Sequence, residues 1–233
     1  MYKWVLFLFI FGVVCLAKAE PHRVVIIRHG EKVSDADSRL GPKGCERAYL
    51  LPRFFSQFTG VAAIYAQQIG KIGGSVRSMA TMAPSAKAMN LRINNRFRRV
   101  ETKALAQEIL ESSEYRDRTV LVAWEHDAIV DLAEDLGLDL KRRFKEWPAN
   151  VYDQAWVLNF ESKKKIKLEI IAEYLLPGDI DPSQSGKDNW GEDITPLKNN
   201  LKVPEAIAKK CRSSNSGIDE LTRALVIEEI PGF

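Results

Sequence analysis

The chain has 233 residues, 45% of them hydrophobic and 28% charged, and a formal net charge of +3. This length suits one domain with a substantial core, and the composition excludes a disordered, collagen-like or disulfide-dense protein. The small positive charge, without a basic low-complexity tail, argues against nucleic acid or an anionic membrane surface as a partner.

Residues 1–19 read as a signal peptide. Lys3 supplies the positive start, residues 4–16 are almost unbroken apolar sequence, and Ala17-Lys18-Ala19 is a small-x-small cleavage signal. An uncleaved anchor is the alternative, although the run is short for a membrane span. Cleavage before Glu20 removes Lys3 and Lys18 and no acid, so 34 basic residues become 32 against 31 acidic ones. The expectation is a single domain over residues 20–233, periplasmic or secreted, with no nucleic-acid partner and no stable membrane insertion after cleavage. Cys45 and Cys211 survive in it. They either pair in an oxidising compartment or stay as two buried thiols.

The four β-branched residues 24–27 predict a short strand buried on both faces, as in the middle of a parallel sheet. The strand stops at Arg28-His29-Gly30. Residues 33–39 are polar and turn-like, and their Asp35-Ala36-Asp37 reads as a solvated loop. A helix is expected from about Lys43, cut or kinked near Pro52. Residues 61–66 predict a second strand and the Gly-rich stretch 70–75 a loop. Arg77-Ser78-Met79-Ala80-Thr81 opens a helix to about Leu91, with Pro84 expected in its first turn. Residues 97–101 suggest a strand, and 103–111 a helix that buries Leu105, Ile109 and Leu110.

Residues 119–124 form the second clear buried strand, ending at Glu125-His126-Asp127, and a helix follows to Leu136, stopped by Gly137. Residues 155–160 and 166–174 predict an antiparallel pair. Residues 177–200 read as loop, and 203–210 and 217–227 as short terminal helices. This alternation of strands and helices predicts an α/β sandwich with a mainly parallel sheet.

Of three histidines, His29 and His126 each follow a buried strand, and His22 precedes one. In a mainly parallel sheet both strand ends open on one edge, where such sheets collect ligands, so the two imidazoles can share a crevice. The alternative is two structural strand caps. Arg92, Arg96, Arg98 and Arg99 form a basic run that reads by default as a solvated face, and otherwise as a phosphate patch.

Arg28-His29-Gly30 after the first strand, the Arg77 helix after the second and His126 after a later one resemble the histidine phosphatase superfamily, which includes the cofactor-dependent phosphoglycerate mutases. The resemblance spans about residues 23–135. It departs at Gln67-Gln68, where family members often carry a serine and further small or basic residues. It implies a three-layer α/β/α sandwich of the phosphoglycerate mutase-like kind and a phosphomonoesterase acting through a phosphohistidine on His29. Arg28, Arg77 and His126 would bind the phosphoryl oxygens, since guanidinium forks clamp phosphate bidentately. Two arginines would supply the charge, so neither a cofactor nor a metal is expected. For the proton donor to the leaving alcohol the resemblance offers Asp127, directly after His126, ahead of Glu101. Glu125 is less attractive, because strand alternation should turn it away from the face that His126 uses.

A phosphomutase of the same chemistry and a non-catalytic phospho-ligand binding module are the alternatives. The substrate is open among phosphorylated small molecules, sugars, lipids, inositols and proteins. Selectivity would lie in the loops at 33–40, 69–76 and 177–200.

Overall fold

The computed structural model describes residues 20–69, 75–140, 144–162, 165–179 and 201–213. The expected signal peptide, the Gly-rich loop 70–74, most of the 177–200 loop and the 217–227 helix lie outside them.

Six strands form one sheet: β1 (Arg23–Arg28), β2 (Val61–Ala66), β3 (Ile93–Asn94), β4 (Thr119–Trp124), β5 (Gln154–Ser162) and β6 (Lys165–Ala172), in the order β3-β2-β4-β1-β5-β6. The β3-β2, β2-β4 and β4-β1 pairs are parallel, whereas β1-β5 and β5-β6 are antiparallel. A short connection explains the β5-β6 pair, which joins as a hairpin, while the first four strands are linked through helices.

Strand alternation divides the core. Val25, Ile27, Ile64, Leu121 and Ala123 pack with Leu51 and Phe55 of α1 (Pro42–Phe55) and Met82 and Ala83 of α2 (Arg77–Met89). Val24, Ile26, Val120, Val122 and Trp124 face the other way, onto Leu105 and Ile109 of α3 (Thr102–Glu111) and Ile129 and Leu132 of α4 (His126–Asp135). Residues 24–27 and 120–124 are fully buried because each face of the sheet has its own helical cover. A last helix, α5 (Glu205–Ser213), is tied to α1 by a Cys45–Cys211 disulfide with Cα atoms 5.7 Å apart.

Three expectations are corrected. α1 is not cut at Pro52 but continues through it to Phe55, because only its last turn lies beyond the proline. Pro84 sits in the middle of α2, not its first turn. Burial of Arg77 to Ala86 along that helix offsets the missing hydrogen bond. The third strand is Ile93–Asn94, not 97–101. Glu101 there accepts hydrogen bonds from the Arg98 backbone N–H at 2.8 Å and guanidinium at 2.5 Å, which closes a turn before α3.

Candidate active site

β1, β4 and β2 are parallel neighbours, so Arg28 and His29, Glu125 and His126, and Gln67 emerge at one edge of the sheet. The first turn of α2 brings Arg77 there, and His126 begins α4. Two helix N-termini at one strand edge provide a partial positive field suited to an anion.

Two contacts hold the loop that carries His29 in place. The Gly30 N–H donates to Thr81 Oγ1 at 2.8 Å, and that hydroxyl donates to the Arg77 carbonyl at 2.7 Å, so Thr81 couples the exit of β1 to the start of α2. On the opposite side Gly44, in the first turn of α1, lies so close that a Cβ there would meet the Glu31 carbonyl oxygen at 2.3 Å. Glycine is required for this approach.

His29 is 1% exposed. Its Nδ1 lies 2.7 Å from the Gly30 carbonyl, which can only accept, so the ring proton sits on Nδ1 and the Nε2 lone pair is free. Burial, assisted by the charges of Arg28 and Arg77, lowers the His29 pKa to about 4, although the Gly30 hydrogen bond works in the other direction. The ring is therefore neutral near pH 7, the form in which imidazole is nucleophilic.

Arg28 is equally buried. One terminal nitrogen, Nη1, donates to the carbonyls of Ala149 at 2.5 Å, Val151 at 3.3 Å and Pro148 at 3.4 Å, and the Tyr152 ring lies 3.8 Å from the guanidinium carbon. Arg77 is oriented by Ser75, whose Oγ accepts from Nε at 2.8 Å. His126 is half-buried, and burial, then the charge of Arg28, lowers its pKa. Buried nitrogens without a hydrogen-bond partner among the described residues include Nε and Nη2 of Arg28, Nη1 of Arg77, Nε2 of His29 and Nδ1 of His126. Orphaned buried donors are costly and rare in folded proteins, and three guanidinium nitrogens on two neighbouring arginines, beside an unpartnered nitrogen on each imidazole, make this edge suited to an anion.

The loop 32–40 overhangs this edge. Val76 N–H donates to the Ser38 carbonyl at 3.0 Å, and Lys32 contributes to the field that lowers His126. Asp35 pairs with Lys32 and Asp37 with Arg39, as suits a solvated loop. In the basic run, Arg96, Arg98 and Arg99 pair with Glu108, Glu101 and Asp127, in keeping with a surface face.

The structure thus gathers His29, Arg28, Arg77 and His126. It holds the Asp127 carboxylate on Arg99, with the side chain 46% exposed, and Glu101 on Arg98. The expectation for Glu125 is corrected. β4 ends at Trp124 and Glu125 caps α4, so strand alternation no longer directs its side chain. Its Oε1 lies 4.0 Å from Arg77 Nη2, and Oε2 accepts from Gln67 Nε2 at 3.3 Å. Burial alone would raise its pKa, but the Gln67 hydrogen bond and the charges of Arg77 and Arg99 lower it.

Sequence reasoning also missed Tyr152 and the carbonyls of Pro148, Ala149 and Val151. A topological signal for them exists: β5 runs antiparallel to β1, with Ala155 opposite Ile27, so the residues entering β5 must lie over the end of β1.

No protein-family model and no curated protein matches this sequence. Among solved structures, the chain is similar to a protein designated phosphohistidine phosphatase SixA from Agrobacterium tumefaciens, at 17% identity and a TM-score of 0.42, over 65% of this chain and 97% of the other. A SixA-designated protein from Nakamurella multipartitia shows 15% identity and a TM-score of 0.45, over 66% and 98%. A mycobacterial glucosyl-3-phosphoglycerate phosphatase, solved with inorganic phosphate, shows 14% and 0.46, over 65% and 96%.

Proposed function

We propose that the chain is a phosphomonoesterase of the histidine phosphatase type, with the three-layer α/β/α architecture of that superfamily. The observation that carries this reading is the buried, neutral His29 Nε2, left without a partner beside orphaned guanidinium nitrogens of Arg28 and Arg77. A phosphoryl group in transfer spreads negative charge over its non-bridging oxygens, and stabilising that charge is most of the catalysis. In the proposed reaction Nε2 attacks phosphorus in line, the P–O bond to the alcohol breaks, and the phosphoryl group passes to His29. Arg28 Nη2, Arg77 Nη1 and His126 Nδ1 hold its oxygens. Water then attacks the phosphohistidine, releasing phosphate and restoring the imidazole.

We further infer that residues 1–19 are removed and that the protein acts in an oxidising, extracytoplasmic compartment. The pattern of Lys3, the apolar run and Ala17-Lys18-Ala19 supports this, as does the Cys45–Cys211 disulfide. Among the described residues no helix is long and apolar enough to cross a membrane.

The test is release of inorganic phosphate from p-nitrophenyl phosphate and from a panel of sugar, lipid-linked, inositol and protein phosphates. The wild-type chain is expected to hydrolyse at least one class, and His29→Ala none. Phosphate-competitive binding without turnover would favour a binding module instead.

A further inference from the structure

We propose that Glu125 is the acid that protonates the leaving oxygen and the base that activates water in the second half-reaction, a role that rests on the phosphohistidine reading above. Glu125 stands at the strand edge directly before His126, with Oε1 at 4.0 Å from Arg77 and Oε2 fixed by Gln67 at 3.3 Å. Its side chain keeps 22% exposure, so it reaches both the phosphate clamp and the mouth through which an alcohol must leave. The rival carboxylates face other cations: Asp127 is paired with Arg99, and Glu101 with Arg98 in its own turn.

The groups that act on Glu125 explain how it acquires a proton at the right moment. Arg77 from α2 and Arg99 from the turn before α3 favour its carboxylate, and it interacts in turn with Arg28 and His126. In the free protein this field keeps Glu125 ionised. A phosphate ester entering the clamp neutralises Arg28 and Arg77 and sets a like charge against Glu125, which favours proton uptake. Substrate binding therefore loads the donor.

The two steps then balance. His29 Nε2 forms a bond to phosphorus while the P–O bond breaks. The electron pair of that bond stays on the alcohol oxygen, which takes the Glu125 proton. In the second step the Glu125 carboxylate removes a proton from water, the water oxygen bonds to phosphorus, and the P–N electron pair returns to His29. The sum is one ester and one water to one alcohol and one phosphate.

The experiment follows phosphoenzyme formation and turnover with β-glycerophosphate, whose alkoxide leaves poorly, and with p-nitrophenyl phosphate, whose phenolate leaves unaided. In Glu125→Gln, which keeps size and hydrogen bonding, phosphorylation by the alkyl ester is expected to fall about 100-fold or more. Phosphorylation by the aryl ester should stay within about five-fold of wild type, because general-acid help then contributes little. The aryl ester should instead give a burst of one phenolate per site followed by slow turnover, since the water step has lost its base. The same variant should bind inorganic phosphate at least as tightly as wild type, because a like charge has left the clamp. Weaker phosphate binding, equal losses on both esters, or the alkyl-selective loss in Asp127→Asn while Glu125→Gln stays active, would overturn the assignment. A wild-type chain that turns over without any phosphoenzyme on His29 would overturn the underlying phosphohistidine reading, and this role with it.

Discussion

His29 concentrates three effects on one ring: burial, two nearby guanidinium groups, and a carbonyl that fixes the tautomer. Because folding lowers its pKa from 6.5 to about 4, the unfolded chain binds the proton more strongly than the native one. The stability linked to this group is complete above pH 6.5 and is lost as pH falls towards 4, by at most about 3 kcal/mol. An NMR titration of the labelled imidazole in the ligand-free protein should show a midpoint near 4. A midpoint near 6.5 would mean that the ring is neither buried nor under the arginine field. The arginines should not tolerate lysine. Arg28 uses one nitrogen on three carbonyls, lies against Tyr152, and still presents Nη2, which a single ammonium cannot reproduce. Arg28→Lys and Arg77→Lys should each lower kcat/KM on p-nitrophenyl phosphate by about 100-fold or more, and near-normal values would remove that residue from the clamp. That His29, Arg28, Arg77 and His126 meet at one sheet edge was legible in the sequence, because each stands beside a strand or helix boundary that composition makes clear. Glu125 was misread because alternation holds only while the strand lasts, and β4 ends one residue before it.

Elements carry the placement of that chemistry. α1 and α2 grip the β1 exit from two sides, through the Gly44 contact and the Thr81 bridge. Gly44→Ala drives a methyl into the Glu31 backbone, where no flexible side chain can yield. It should cost about 1–3 kcal/mol in urea unfolding, with loss of activity exceeding the loss of folded protein. Unchanged activity would mean that α1 does not fix the loop that carries His29. The two buried strands and the α4 stop at Gly137, with its φ of +106°, were readable from local pattern. Pro84 was misplaced because local propensity puts proline in a first turn, whereas the helix that opens at Arg77 runs through it, held by the burial of residues 77–86. β3 was missed for the opposite reason. Two residues paired to Ile64 and Tyr65 leave no periodic signal.

On the scale of the whole molecule, distant parts of the chain are bound together by features that sequence pattern does not reveal. The buried Arg47 on α1 donates to Glu31 at 2.7 and 3.0 Å, to Glu173 at 2.9 Å and to Asp179 at 2.8 and 2.9 Å. It thereby joins the segment after β6 to the residue that follows Gly30. Burial pushes the Glu173 carboxyl well above its usual range, while Arg47 holds Glu31 and Asp179 below theirs. Arg47→Met leaves those two carboxylates without their cation and should cost about 3–5 kcal/mol in urea unfolding. A loss under about 1 kcal/mol would show that the cluster is solvated. Reducing the Cys45–Cys211 bond, which spans a sequence separation of 166, should lower stability by about 2–4 kcal/mol, and no change would mean that α5 docks without it. The central claim is that this assembly aims one neutral imidazole nitrogen at phosphorus. The most direct measurement is rapid quenching of wild type during turnover of a labelled phosphomonoester, followed by mapping of the labelled peptide. Acid-labile, alkali-stable phosphate on His29 is the expected result. Label on a serine or aspartate, or turnover with no covalent phosphate at all, would contradict it.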